Sequence, residues 1–290
     1  MREWLLGQAA AGLIQKVDDT FVLDELGKTV LADEGSSVFF AAGAFTSLSG
    51  MDLADNVTEA FRTGLGFTYE EQGQARTLMT QRMTRASFDK LLIPEVLPLV
   101  EGLVAKLEKG ARVADVGCGS GSAVVALAQA FPNSRFTGYD PSPTAIAIAL
   151  EAGADLENAA FEQVGGESLP AGDGLDLVLA LDCLHDMPRP DLALAAISKA
   201  LADDGTLLIK DIKSSPDFEV NRKNPVLALQ YGYSLTSCLP SGMSSEDGLG
   251  LGTLGFNPRV AKEMCAAAGL TTFKTHDIGD PTNLYHEVRR

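Results

Sequence analysis

Long apolar runs are missing from this 290-residue chain; none approaches the ~20 residues that a membrane helix needs. The opening stretch MREWLLGQAAAGLIQKVDD carries Glu3 early and has too short an apolar core for a secretion signal. Cysteine is scarce. Cys118, Cys183, Cys238 and Cys265 stand far apart without a CxxC pair. That spacing argues against zinc and against a disulfide framework and fits a reducing cytoplasm. Positive charge is also short, with 23 Lys and Arg against 39 Asp and Glu and a net charge of −16. Such a surface repels nucleic acid. Only the stretch with Arg76, Arg82, Arg85 and Lys90 is locally basic, and it reads as a solvated helix face or an inter-helix ion-pair set. What remains, 46% hydrophobic and 21% charged residues, describes an ordinary globular protein.

Composition changes near Gly110, which divides the chain into a mainly helical part, 1–109, and a strand–helix part, 110–290. Residues 2–13 make a helix with Trp4, Leu5, Ala9 and Leu13 on one face. IQKV, the turn Asp18-Asp19 and FVL form a short hairpin, and another helix starts at Asp24. Helix, hairpin, helix is the back half of a winged-helix unit, so the chain reads as starting partway through that domain. Its acidic charge favours a dimerisation scaffold over DNA binding. From 36 to 109 the pattern is helical, interrupted at GLGFTYEEQG. The last helix, PEVLPLVEGLVAKLEKG, ends on a Lys-Gly cap signal.

After Gly110 strands and helices alternate. RVADVG, RFTGYD, AAFEQV, LDLVLALD and TLLIKDIK are the first five strands, and TTFKTHDI and NLYHEV the last two. Alternation of this kind predicts an α/β fold with a parallel doubly wound sheet covered on both faces. The turn GDPTN is too brief for a crossover, so the last strand should run antiparallel. An insertion at about 214–256 follows the fifth strand.

Ligands of an open parallel sheet bind outside the carboxyl ends of its strands. Those ends carry Asp115 with its glycines, Asp140, the GGES run, residues 182–186 and residues 210–213. Glycines spaced as in VADVGCGSG suit nicotinamide dinucleotides, flavins or S-adenosylmethionine. The dinucleotide fingerprint is matched imperfectly, because Ser122 stands at its sixth position. Asp115, two residues before the first glycine, is unwelcome beside a pyrophosphate and suits a ligand with ammonium and sulfonium charge. Asp140 is spaced as a ribose-hydroxyl acceptor and serves either kind of ligand.

VADVGCGSG followed by FPNSRFTGYD resembles motif I and the acidic loop of class I S-adenosylmethionine-dependent methyltransferases. LALDCLHDMPRPDLAL, NPVLALQYGYSLTSCLP and NLYHEVRR resemble the bacterial small-molecule subgroup, which carries a winged-helix-like N-terminal dimerisation domain. The resemblance implies a Rossmann-like seven-stranded sheet with a reversed last strand, S-adenosylmethionine as cofactor, a small-molecule acceptor and a homodimer. It places Asp115, Gly117, Cys118 and Gly119 at the methionine end of the cofactor, Asp140 on the ribose and Pro141 near the adenine. Gly165 falls where the family has an adenine-binding aspartate, with Glu167 or Ser168 as substitutes. Asp182 matches a position bordering the methionine moiety, and Tyr69 one that reaches over the cofactor from the helical domain.

Methyl transfer to a hydroxyl or amine benefits from a general base, and His185, just past the fourth strand, suits that role. It could equally cap a turn or bond Asp186. His276 and His286 fall on the last two strands and read as structural. The 214–256 insertion would cover the acceptor as a lid. There Tyr231, Met243 and Phe256 are candidates to line an apolar or aromatic acceptor site, although Leu227, Tyr231 and Leu235 could also be the lid helix's core stripe. Cys118, Cys183 and Cys238 near the cleft leave a thiol-dependent reaction such as metalloid methylation open. A cofactor-binding protein without turnover and a nicotinamide oxidoreductase are the competing readings, the latter disfavoured by Asp115.

Overall fold

The computed structural model describes residues 1–39, 51–172 and 174–290, apart from the side chains at 51 and 52. The part of the expected helical run that falls on 40–50 lies outside them. The chain begins with helix α1 (Arg2–Ala10), a hairpin of β1 (Gln15–Val17) and β2 (Thr20–Val22), and helix α2 (Glu25–Leu31). α1 stops three residues short of the expected end, where Gly12 turns the chain at φ +75°. Asp24 caps α2 by accepting a hydrogen bond from the Gly27 N–H at 2.7 Å. Neither α1 nor α2 has a buried residue. Trp4 stays 52% and Leu26 73% exposed.

Helices α3 (Met51–Thr63) and α4 (Gln74–Ser87) follow. The single helix expected over PEVLPLVEGLVAKLEKG is instead broken. A π-helical stretch, Phe88–Val96, leads to a 3-10 turn, Leu97–Leu99, and then to α5 (Leu103–Lys109). Pro94 and Pro98 lack the N–H that a continuous α-helix uses, and Gly102 reverses the chain at φ +74°. Gly110 closes α5, as its Lys-Gly signal predicts.

Strand–helix alternation then runs through β3 (Arg112–Val116), α6 (Ser122–Ala130), β4 (Arg135–Tyr139), α7 (Pro143–Ala152), β5 (Ala159–Glu162), β6 (Leu175–Leu181), α8 (Pro190–Ala200) and β7 (Leu201–Ile212). The 214–256 segment, expected to be a lid and called so below, holds α9 (Phe218–Asn221), α10 (Leu227–Tyr233), a π-helical turn Ser234–Cys238 and α11 (Leu239–Gly242). α12 (Pro258–Ala267), β8 (Thr272–His276) and β9 (Asn283–Arg289) complete the chain. The seven strands are ordered β5-β4-β3-β6-β7-β9-β8. β9 is antiparallel to both β7 and β8, and the other pairings are parallel. All seven expected strands are present, with the reversed last one.

Alternation within each strand sends side chains to two cores. Val113, Leu177, Leu179 and Leu208 join α5, α6 and the π-helical stretch on one face. Ala114, Val116, Val178, Ala180 and Ile209 join α8 and α12 on the other. With both faces closed, the polar groups of the central strands can gather only at the strand ends.

Candidate active site

The strand order reverses between β3 and β6, so the cleft lies at their carboxyl ends. Parallel register sets Asp115 beside Gly138 and Leu179, and Leu181 beside Lys210. The next residue in each strand therefore opens on the same edge. Gly117, Gly119 and Gly121 all have positive φ. A Cβ on Gly121 would strike the Phe161 ring at 2.5 Å, whereas one on Gly119 would meet nothing within 4 Å. Space therefore lies over Gly119.

Asp115 is buried, and its Oδ1 has no hydrogen-bond partner. Burial, helped by the nearby Asp140 charge, pushes its carboxyl up to about 8. Asp140 accepts from the Gly119 N–H and the Ser142 N–H, each at 2.9 Å. A carboxylate has about four acceptor directions, so room for ribose hydroxyls remains. Pro141 lies exposed next to it. The loop is latched from the helical part of the chain: Glu70 accepts from Thr144 Oγ1 at 2.6 Å and from Ser142 Oγ.

His185 sits in a 3-10 turn after β6, 3% exposed. Its Nδ1 is 2.8 Å from Asp211 Oδ1, and its Nε2 is 3.3 Å from Asp186 Oδ1. Burial would lower its pKa, but the Asp211 and Asp186 carboxylates outweigh that and hold it well above the usual histidine range. Cys238 comes from the lid, and donor atoms of His185, Asp186 and Cys238 lie within 4.8 Å of one another. That spacing would admit a metal ion, which the scattered cysteines of the sequence did not suggest. Tyr69 is close enough to Asp186 and Cys238 to feel their charge, and its hydroxyl is 2.7 Å from Thr80 Oγ1. The lid is tied to the strap that carries Tyr69, residues 64–73 between α3 and α4. Ser237 Oγ donates to Gln72 Oε1 at 2.7 Å, and the Gly66 N–H to the Met243 carbonyl at 2.8 Å.

Several expected site residues are placed differently. Cys118 turns its thiol inward against the position of Gly138, and its N–H is held by the Tyr139 carbonyl at 3.1 Å, so it offers a ligand neither group. Asp182, at φ +57°, is engaged by Lys210 Nζ and Asn283 Nδ2. Glu167 and Ser168 are exposed on a 3-10 turn. Phe256 is 1% exposed within the core beside α8 and α12, so it is a packing residue and not an acceptor contact. Tyr231 is 41% exposed on α10, and the Met243 side chain lies against Gly250. Leu227 is buried, but Tyr231 and Leu235 are not, so these three do not form a core stripe. His286 is buried beside Thr275, and His276 bonds Glu287, away from the cleft.

Sequence reasoning passed over Glu70 and Tyr233, and it placed Asp211 among the strand-end residues 210–213 without giving it a role. Asp211 lies in the polar strand end LIKDIK, where an acid among apolar residues was the available signal. The contacts of Glu70 and Tyr233 span long sequence separations and left no local signature.

Residues 107–237 match a family model described as a methyltransferase domain. That segment is a methyltransferase domain. The chain is 34% identical to trans-aconitate 2-methyltransferase of Methylobacterium nodulans over 100 residues, 34% of this chain and 38% of the other. It is 30% identical to ubiquinone biosynthesis O-methyltransferase of Pseudomonas entomophila over 113 residues, 37% of this chain and 47% of the other. The chain spans less than half the length of these curated relatives. Likeness of fold reaches further. Human N-acetylserotonin methyltransferase in complex with S-adenosylmethionine has a TM-score of 0.69 at 15% identity, over 99% of this chain and 82% of that one. An O-methyltransferase family protein from Burkholderia thailandensis has a TM-score of 0.63 at 19% identity, over 99% and 83%. The cofactor of such a domain is S-adenosylmethionine, and the residues present fit it. The methyltransferase domain has an orphaned buried acid for a cationic group, open space over Gly119, and Asp140 with acceptor capacity to spare.

Proposed function

We propose that the chain is an S-adenosylmethionine-dependent methyltransferase acting on a small apolar or aromatic acceptor, with His185 as general base. The carrying observation is the buried His185 between Asp211 and Asp186, beneath the lid and on the same cleft edge as the orphaned Asp115. Bound S-adenosylmethionine supplies an already activated methyl group. The protein's own part is to align the acceptor, exclude water and take up a proton; alignment alone can contribute roughly 7–11 kcal/mol. Asp211 holds Nδ1–H and so fixes the tautomer that leaves Nε2 to receive the acceptor's proton. Asp115 receives the cationic end of the cofactor, and Asp140 the ribose. Tyr69, on the strap, closes the acceptor side beside Asp186 and Cys238. This chemistry needs no metal ion, so turnover should survive dialysis against EDTA.

The names of the two relatives above favour small-molecule acceptors. Exposed Trp4, Leu13 and Leu26 in the N-terminal elements support a homodimerisation part, 1–109, beside a cofactor-binding part, 110–290, with its lid at about 214–256. The widely spaced free cysteines support a cytoplasmic setting. The same exposed N-terminal face also suits a second reading, a cofactor-binding protein without turnover that acts through its dimer or a partner. A mass-spectrometric screen of cell extract for one-methyl gains separates the two. The enzyme reading expects a product that His185→Ala depletes, and no product in any fraction would overturn it. Calorimetry with S-adenosylhomocysteine and NAD tests the cofactor, and binding of NAD alone would overturn that assignment.

A further inference from the structure

Six Lys or Arg side chains among the described residues are buried or half-buried. Lys106, Arg189, Lys210, Lys213 and Arg289 each lie within 4 Å of a carboxylate. Arg76 has no carboxylate within 4 Å among the described residues, and its Nε is shielded from solvent without a hydrogen-bond partner. Acids outnumber bases by sixteen in this chain, so a half-buried guanidinium lacking one is out of character.

Two further features make the position costly for a cation. Arg76 is the third residue of α4, whose first turn carries no acid. It therefore sits at the positive end of the helix macrodipole, where a negative charge is favoured. Its main neighbour is the Tyr233 ring of the lid helix, 5.5 Å from ring centroid to guanidinium carbon. A ring face offsets part of a guanidinium's desolvation but leaves its hydrogen-bond donors unmatched. Arg76 is also near enough to Tyr69 for their charges to interact, and Tyr69 in turn feels Asp186 and Cys238 beside His185. The unmatched cation thus stands on the wall that joins strap, lid and His185.

We infer that the acceptor carries a carboxylate and that Arg76, with Tyr233 stacked on it, is the residue that receives it. This rests on the methyltransferase reading of the same cleft and names the acceptor's class within it. A planar carboxylate matches the guanidinium fork, supplies the missing acceptors and meets the positive helix end. Tyr69 and Tyr233 would flank an aromatic body attached to it, and its hydroxyl would extend toward His185.

The test is calorimetry with 2-hydroxybenzoate and 4-hydroxybenzoate against 2-hydroxybenzamide and 4-hydroxybenzamide, with and without S-adenosylhomocysteine. At least one acid should bind about tenfold or more tighter than its amide, as expected for a charged hydrogen-bonded pair. Arg76→Met should erase that preference while leaving S-adenosylhomocysteine affinity unchanged, and Arg76→Lys should keep part of it. Because Arg76 Nε is buried without a hydrogen-bond partner in the free protein, thermal melting of Arg76→Met should match or exceed wild type, which separates lost recognition from lost folding. The inference falls if the amides bind as well as the acids, if Arg76→Met keeps the preference, or if neither acid binds. Methylation of neutral phenols by wild type and Arg76→Met alike would sink the carboxylate while leaving methyl transfer standing. Loss of S-adenosylhomocysteine binding in wild type would instead strike the methyltransferase reading.

Discussion

His185 Nδ1 lies 2.8 Å from Asp211 Oδ1, and both side chains are almost wholly shut off from solvent. Burial pulls the imidazole pKa down, but Asp211 and Asp186 together raise it well above its ordinary value. A general base must first lose its proton, so turnover should climb with pH along a limb lying above the usual histidine value of about 6.5. Asp186→Asn removes one carboxylate and should move that limb to lower pH. His185→Gln should cost about 10²–10⁴ in rate. The same group contributes to stability with a definite sign. Its folded pKa is above the unfolded one, so its contribution is full below about 6.5 and is lost as pH rises through the raised value. A pH–rate profile unmoved by Asp186→Asn would remove His185 from the proton path.

Asp115 behaves in the opposite way to a salt-bridged acid. Its carboxyl is pushed up to about 8 by burial and by Asp140, so between about pH 4 and 8 the folded state holds a proton that the unfolded state has released. Stability from this group therefore falls as pH rises across that window. Asp115→Asn should flatten the fall and leave the free protein more stable than wild type at pH 8. It should also weaken S-adenosylmethionine binding strongly, since no anion remains for the cationic end. Binding to wild type should expel the proton from Asp115. Calorimetry at pH 7 in buffers of different ionisation enthalpy measures this directly, and equal heats in all buffers would contradict it.

Glu70 joins the strap to the cofactor loop through Ser142 and Thr144. Its carboxyl is held below the usual glutamate range chiefly by the Ser142 and Thr144 hydroxyls. Hydrogen bonds to a charged acceptor contribute about 1.5–3 kcal/mol each, and less where water competes. Glu70→Ala should lower the melting temperature and raise KM for S-adenosylmethionine more than it lowers kcat, because Asp140 sits in the loop that Glu70 anchors. A kcat loss with KM unchanged would place Glu70 elsewhere in the mechanism.

The sheet was legible because each strand of the second half is a short apolar run bounded by turn residues, and because GDPTN is too short for a crossover. That Asp115, Asp140 and His185 gather at the strand ends was legible because the strand-end rule needs only strand order. Contacts from outside the sheet were not. Glu70 reaches Thr144, Gln72 reaches Ser237, and Cys238 reaches His185 across sequence separations that no local periodicity records. The broken helix after Phe88 was missed although Pro94, Pro98 and Gly102 all marked it; the Leu and Val spacing around them looked continuous. Within the lid, the π-helical turn at Ser234–Cys238 breaks the 3.6-residue repeat, so helical spacing could not tell which lid side chains face inward.

Phe256 and Tyr231 test that last point. Both are aromatic residues of the lid region, and spacing treats them alike. Phe256 is packed among Leu194, Ile197 and Ala261, where truncation leaves a cavity. Phe256→Ala should therefore cost about 3–5 kcal/mol of stability, seen as an earlier urea midpoint, with little effect on acceptor KM in whatever fraction stays folded. Tyr231→Ala, at an exposed position on α10, should stay within about 0.5 kcal/mol of wild type. Tyr233→Ala should instead raise acceptor KM, because its ring lies over Arg76. If Tyr231→Ala raises KM and Tyr233→Ala does not, α10 turns its other face to the acceptor, and the wall of the cleft must be redrawn around that face.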